Sequence, residues 1–101
     1  MTATDTFVPV APVWWATNFG GLVVNGIVAS RSKSRLKRGI FVAAVVTHVV
    51  EAAYAYRVAQ REGLGGDAVK WGLQTLGVGF PSLIALHGLL SERAFATGIE
   101  G

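Results

Sequence analysis

Three apolar stretches, each broken only by scattered polar positions, organise the chain. The first runs from about Val13 to Ala29 without a charge, the second from about Gly39 to Ala59, and the third from about Ala68 to Leu90. Each approaches or exceeds the roughly 20 residues with which a helix crosses a bilayer. The pattern predicts an all-α integral membrane protein with three transmembrane helices, folded as one membrane domain over residues 1–101. Pro12 suits the first turn of a helix, where its missing N–H does no harm. A basic loop at 30–38 separates the first two helices. The glycine-rich connection 60–67 joins the second and third as a tight hairpin, with Gly63 just past one helix and Asp67 capping the next. Pro81 predicts a kink in the third helix. Met1 to Pro12 read as an irregular arm and 91–101 as a frayed tail. The arm lacks the basic residues that open a signal peptide, so no cleavage is expected.

Composition supports this reading. Hydrophobic residues make up 51% of the 101 and charged residues 15%, against roughly 25% charged in an average soluble domain. A soluble domain this small could not bury so much apolar surface. With no cysteine, disulfides, thiolate catalysis and cysteine-ligated zinc are excluded. The richness in Ala, Gly, Val and Arg suggests a GC-rich bacterial genome.

Charge then orients the helices. Five of the nine basic residues lie in one run, Arg31, Lys33, Arg35, Lys37 and Arg38. Such a run between apolar segments reads as a topology signal and a contact for anionic phospholipid or a partner. It lacks the interleaved aromatics of base-stacking surfaces, so no nucleic acid is expected. Adding Arg93 in the tail gives six cations, against Arg57, Arg61 and Lys70 at the other face. The basic loop and the C-terminus are therefore expected in the cytoplasm and the N-terminus outside, in a multi-pass protein of a bacterial inner membrane. Trp14, Trp15, Tyr54, Tyr56 and Trp71 are expected as an aromatic belt at the outer face.

Two sets of polar or small residues inside the apolar stretches are candidates for function. Gly21, Asn25 and Ala29, at i, i+4 and i+8, form a stripe on which a partner helix could pack closely. His48 and Glu51 share a helix face at i, i+3, and ionisable groups inside a membrane are costly enough to imply a role. Glu51 and Gln74 fall at similar depths either side of the hairpin. The preferred reading is an interhelical polar clasp of His48, Glu51, Tyr54 and Gln74. A contact with another subunit and acid–base or proton-relay chemistry are the alternatives. A His-x-x-Glu pair offers only two metal ligands, His87 reads as interfacial, and Ser82 and Ser91 lie in no nucleophile motif. No metal, cofactor or catalytic residue is expected.

The residues His48-Val49-Val50-Glu51-Ala52-Ala53-Tyr54-Ala55, Trp71-Gly72-Leu73-Gln74-Thr75 and Gly79-Phe80-Pro81-Ser82-Leu83 resemble the transmembrane-protein-254-like family of small membrane proteins. The resemblance covers about two fifths of the chain. It implies that His48, Glu51, Tyr54, Trp71, Gln74 and Thr75 act together, and it carries no catalytic role. The chain also resembles the lipid-uptake coordinator (LucB-like) subunits that accompany mycobacterial Mce lipid importers. This implies an actinobacterial, non-enzymatic accessory subunit docked beside a transporter permease, in a hetero-oligomer rather than a homo-oligomer. The rivals are a membrane-embedded scaffold or enzyme of lipid or sterol metabolism using Glu51 and His48, and a free-standing homo-oligomer.

Overall fold

The structure, a computed structural model, describes residues 6–100, with side chains to residue 95. Among them every regular element is helical. Helix α1 opens with the α-helical turn Pro12–Trp14, widens into a π-helical turn at Trp15–Phe19 and continues as an α-helix over Gly20–Arg31. Helix α2 spans Arg35–Arg61, α3 spans Ala68–Val78 and α4 spans Phe80–Glu100. Of these, α2 is the one among the described residues that is long and apolar enough, as an unbroken helix, to cross a membrane.

The basic segment is more helical than the 30–38 loop expected from sequence. Only Ser32–Ser34 lie between α1 and α2, and Ser34 caps α2 by accepting the Lys37 N–H at 3.3 Å. Ser and Thr at that position satisfy a free N–H of the first turn, so the helix starts before the apolar run does. At its other end α2 stops in a Schellman motif. The Gly63 N–H bonds the Gln60 carbonyl at 3.3 Å and the Leu64 N–H bonds the Ala59 carbonyl at 3.0 Å. Gly63 adopts φ 71°, which glycine enters without penalty. Leu64, 1% exposed, folds back onto Val58 and Ala59. A 3-10 turn at Gly65–Asp67 then starts α3, which returns along α2. Gly72 meets Ala52 and Tyr56 closely there.

The third apolar stretch differs most from expectation. The chain breaks at Gly79, with φ 75° and ψ −133°, a conformation reserved for glycine. It then reverses. Ser82 bonds back to Gln74 and Thr75, His87 meets Tyr54, and Leu86 and Leu89 join the core that holds Ala55, Val58, Ala59, Leu64 and Trp71. A straight or gently kinked helix would carry Leu89 roughly 27 Å from Trp71, at 1.5 Å per residue. The single 68–90 helix is thus replaced by two antiparallel helices, of 11 and 21 residues, that meet in a tip at Gly79. Pro81 lies in the first turn of α4, where it costs no hydrogen bond. The 91–101 tail, expected to fray, continues as helix through Glu100.

The reversal places α4 and Arg93 at the same end as the arm and the 62–67 turn. That corrects the expectation of a C-terminus beside the basic loop. The cation balance becomes Arg31, Lys33, Arg35, Lys37 and Arg38 at one end against Arg57, Arg61, Lys70 and Arg93 at the other.

Candidate functional site

The core explains the sequence signature before any function is invoked. The arm lies along α3 and is fixed by side chains that the pattern alone left ambiguous. The Trp71 indole N–H donates to the Thr6 carbonyl at 2.7 Å, and its ring, 0% exposed, meets Phe7 edge to face at 5.0 Å. Trp71 is therefore core and not part of an aromatic belt. The Thr6 hydroxyl donates to the Asp67 carboxylate, which also pairs with Lys70 at 3.3 Å. The Thr6 hydrogen bond, with Lys70 beside it, holds the Asp67 carboxyl below the ordinary carboxylate range. Asp67 spends its side chain on the arm, and makes no side-chain cap to α3.

Gln74 serves the same arm. Its Oε1 accepts the Val10 N–H at 2.9 Å, and its Nε2 donates to the Val8 carbonyl and to Ser82 Oγ, both at 3.1 Å. The Thr75 hydroxyl also reaches Ser82 Oγ, at 2.8 Å, and both residues are fully buried. A primary amide carries an acceptor oxygen and two donor hydrogens, which matches the three bonds Gln74 makes here. Both ends of Gln74 are thus taken, and neither by Glu51. Tyr54 bonds His87 Nε2 at 3.0 Å across α2 and α4. Of the four residues expected as one clasp, His48, Tyr54 and Gln74 each bond a different partner and Glu51 bonds none among the described residues, because the arm and α4 take the face of α3 that carries Gln74.

His48 belongs to the break. Helix α3 ends inside the molecule, and its last carbonyls have no helical partner. The His48 Nδ1–H donates to the Leu76 carbonyl and the Asn18 amide to the Val78 carbonyl, each at 2.8 Å. Two helices therefore each lend a polar side chain to the broken end of a third, satisfying carbonyls that the break leaves without helical partners. Asn18 is positioned by the π-helical turn, which also lays Trp15 against Gly77. Nothing in the sequence singled out Asn18 for this role; the signal was an amide facing a Gly-x-Gly-Phe-Pro break, and the break was read as a kink.

Because a carbonyl only accepts, the Nδ1 contact leaves the Nε2 lone pair of neutral His48 free. A β-carbon at Gly79 would sit 3.3 Å from that Nε2 and 3.6 Å from Glu51 Oε1. Imidazole and carboxylate thus flank one point at the tip between α3 and α4. Glu51, half-buried, has no hydrogen bond or ion pair among the described residues. Beneath the tip a cleft of about 530 Å³ opens between α1 and α2, lined by Asn18, Gly21, Asn25, Thr47, His48 and Glu51, with Phe80 at its edge. A β-carbon at Gly21 would meet nothing within 4 Å.

Gly21 and Asn25 therefore face this cleft. Ala29 does not: it is 3% exposed and lines a smaller hollow of about 330 Å³ with Gly26, Phe41 and Arg38. The stripe expected as one surface is split, with its last member already covered. The five basic residues of the run are all exposed at the far end. No group of three or more His, Cys, Asp or Glu that could hold a metal occurs among the described residues.

Residues 1–89 match the family model described as Transmembrane protein 254, and the chain belongs to that family of membrane proteins. Neither the curated proteins nor the solved structures contain a match to it.

Proposed function

We propose that this protein is a non-enzymatic subunit of a larger membrane assembly, and that the cleft between α1 and α2 receives a transmembrane helix of its partner. The observation that carries the reading is the uncovered lower half of the molecule. Below Gly79 there are only two helices, and the wall between them offers a glycine, amides, hydroxyls and an unpartnered carboxylate. Small and polar side chains of this kind drive helix association in lipid, where apolar area alone does not.

In this reading α1 and α2 cross the bilayer and the α3–α4 pair enters from one side only. The apolar parts fit: α3 has 11 residues, about 16 Å at 1.5 Å per residue, or half of a core about 30 Å thick. Phe80–Leu90 matches that length before Ser91, Glu92 and Arg93 reach the interface. Two full spans and a half-depth pair then replace three spans. The basic run faces the cytoplasm of a bacterial inner membrane and touches anionic phospholipid; the arm, the turn and the C-terminus lie outside. Arg35, Lys37 and Arg38 sit in the first turn of α2, which has no acid. Cations there oppose the helix dipole, so helix stability does not select them and a lipid or partner contact does. The finer identification, an accessory subunit beside the permease of a Mce-type lipid importer, rests on the family resemblance.

The test is gentle affinity purification of the tagged protein with its native partners. Gly21→Leu, which fills the cleft, should release the partner subunits while the protein itself stays folded; Asn25→Leu should weaken their retention. Recovery of the same complex with both variants would remove the cleft as the docking surface. Permease and substrate-binding subunits in the wild-type complex would support the transporter reading, and lipid-modifying enzymes would replace it.

A further inference from the structure

We infer that the helix seated in the cleft carries a basic side chain at mid-membrane depth, held between Glu51 and His48. The inference rests on the docking proposed above and adds the chemistry of the occupant.

Most of the donors lining the cleft are already engaged. The Thr47 hydroxyl donates to the Ala43 carbonyl and the Thr17 hydroxyl to the Val13 carbonyl, each at 2.8 Å. A hydroxyl has one proton, so both present only lone pairs to the cleft. One of the two Asn18 amide N–H groups is spent on the Val78 carbonyl, and the His48 Nδ1–H on the Leu76 carbonyl. What remains among the lining groups is the Nε2 lone pair of His48, two carboxylate oxygens of Glu51, the lone pairs of the two threonines, the second N–H and the oxygen of the Asn18 amide, and the mixed amide of Asn25. The lining holds no Lys or Arg. Leu22, Ala44, Val78 and Phe80 make the rest of the wall apolar, so the Glu51 carboxylate, with the His48 Nε2 lone pair near it, is the charged group in the lining. A largely apolar wall with an unpartnered carboxylate beside a further acceptor is complementary to a positively charged donor on an apolar helix, which is a guanidinium or an ammonium.

Depth selects the carrier. Glu51 lies ten residues before the end of α2 at Arg61, roughly 15 Å along the helix. That is about the middle of a hydrocarbon core about 30 Å thick. A lipid amine stays with its headgroup at the interface. A side chain on a crossing helix reaches mid-depth, and its charge there needs a counter-charge. Gly21, open where a β-carbon would stand, leaves room for that helix to approach.

The experiment reconstitutes the full chain in phosphatidylcholine vesicles with synthetic leucine-rich transmembrane peptides and reads association by energy transfer. One peptide carries a single mid-span arginine, and the other is leucine throughout. The arginine peptide is expected to bind on the order of tenfold tighter. Glu51→Gln should abolish that preference, and Val24→Ala, outside the cleft, should leave it intact. Equal binding of the two peptides, or a preference that survives Glu51→Gln, overturns the inference while leaving the docking reading standing. Binding that Gly21→Leu does not reduce, or no binding of either peptide, overturns the docking reading and the inference with it. Displacement of the arginine peptide when phosphatidylethanolamine replaces phosphatidylcholine would assign the site to a headgroup amine and also overturn it.

Discussion

The two ends of this molecule are built on opposite principles. At the turn end, α2, α3, α4 and the arm surround one core, and Trp71, Leu64, Leu86, Leu89, Thr75 and Ser82 are each no more than 1% exposed. At the basic end α1 and α2 run side by side, and Ala29 is the buried residue between them. Val24, Ile27, Ile40, Val42 and Val46 are all at least half exposed there. Lipid-like hydrophobicity is present at both ends. What differs is polar satisfaction. The core end pairs its buried amide and hydroxyls with one another and with the arm, whereas the cleft leaves Glu51 without a partner. A fold that invests its hydrogen bonds in one half leaves the other half available to something else.

The largest test of this contrast is Trp71→Ala. It removes a buried ring, its bond to Thr6 and its contact with Phe7, and should cost about 3–5 kcal/mol. Val24→Ala or Val46→Ala at the open end should stay within about 0.5 kcal/mol. Unfolding midpoints in mild detergent separate the two, and comparable losses would break the comparison. Gly79→Ala should follow. It strains a positive-φ position and pushes a methyl towards His48, at a cost of about 1–3 kcal/mol. The same measurement reads it, and a stability equal to wild type would mean that the tip relaxes without the glycine.

The all-helical character was legible because the apolar stretches are long, and the turn at Gly63 was legible because its chemistry is local. The reversal at Gly79 was not. Pro81 suits both a mid-helix kink and a first helical turn, and the apolar run from Ala68 to Leu90 is long enough for one span. Only the pairing of Ser82 with Thr75 and of His87 with Tyr54 decides, and those are tertiary facts. The same gap misplaced the polar residues. The spacing of Glu51 and Gln74 about the hairpin implies a similar depth, but depth along a helix says nothing of azimuth. Trp71 reads as an interfacial anchor until the arm folds over it. His48 and Glu51 were visible as a pair from their spacing; their neighbours in the cleft, Gly21 and Asn25, were found on a different argument and assigned to an outward surface.

A smaller effect sharpens the difference between the two polar groups first paired. Gln74→Leu strands the Val10 N–H and the Val8 carbonyl, and an unsatisfied buried group costs about 1–3 kcal/mol. Glu51→Gln breaks no bond among the described residues and should leave stability within about 0.5 kcal/mol. Amide hydrogen exchange at Val8 and Val10 should accelerate in the first variant and not in the second. Matching exchange in both would mean that Glu51 supports the core after all.

The smallest effect is a pH dependence confined to the packed end. Thr6 donates to Asp67 and Lys70 pairs with it, and the carboxyl pKa is lowered in the folded state. Asp67 therefore adds to stability above its ordinary pKa, and that contribution fades as pH falls through the lowered folded value. Acid should loosen the attachment of the arm at Thr6 while the Gln74 contacts, which do not titrate, hold Val8 and Val10 in place. Protection of the Phe7 amide, taken relative to its intrinsic exchange rate at each pH, should fall at acid pH while that of Val10 is kept. Asp67→Asn should make the Phe7 protection the same across that range. The glycine-lined cleft contains no part of this attachment, so peptide association at Gly21 should be unchanged in Asp67→Asn; a parallel change would mean that the two ends of the molecule are coupled through α3.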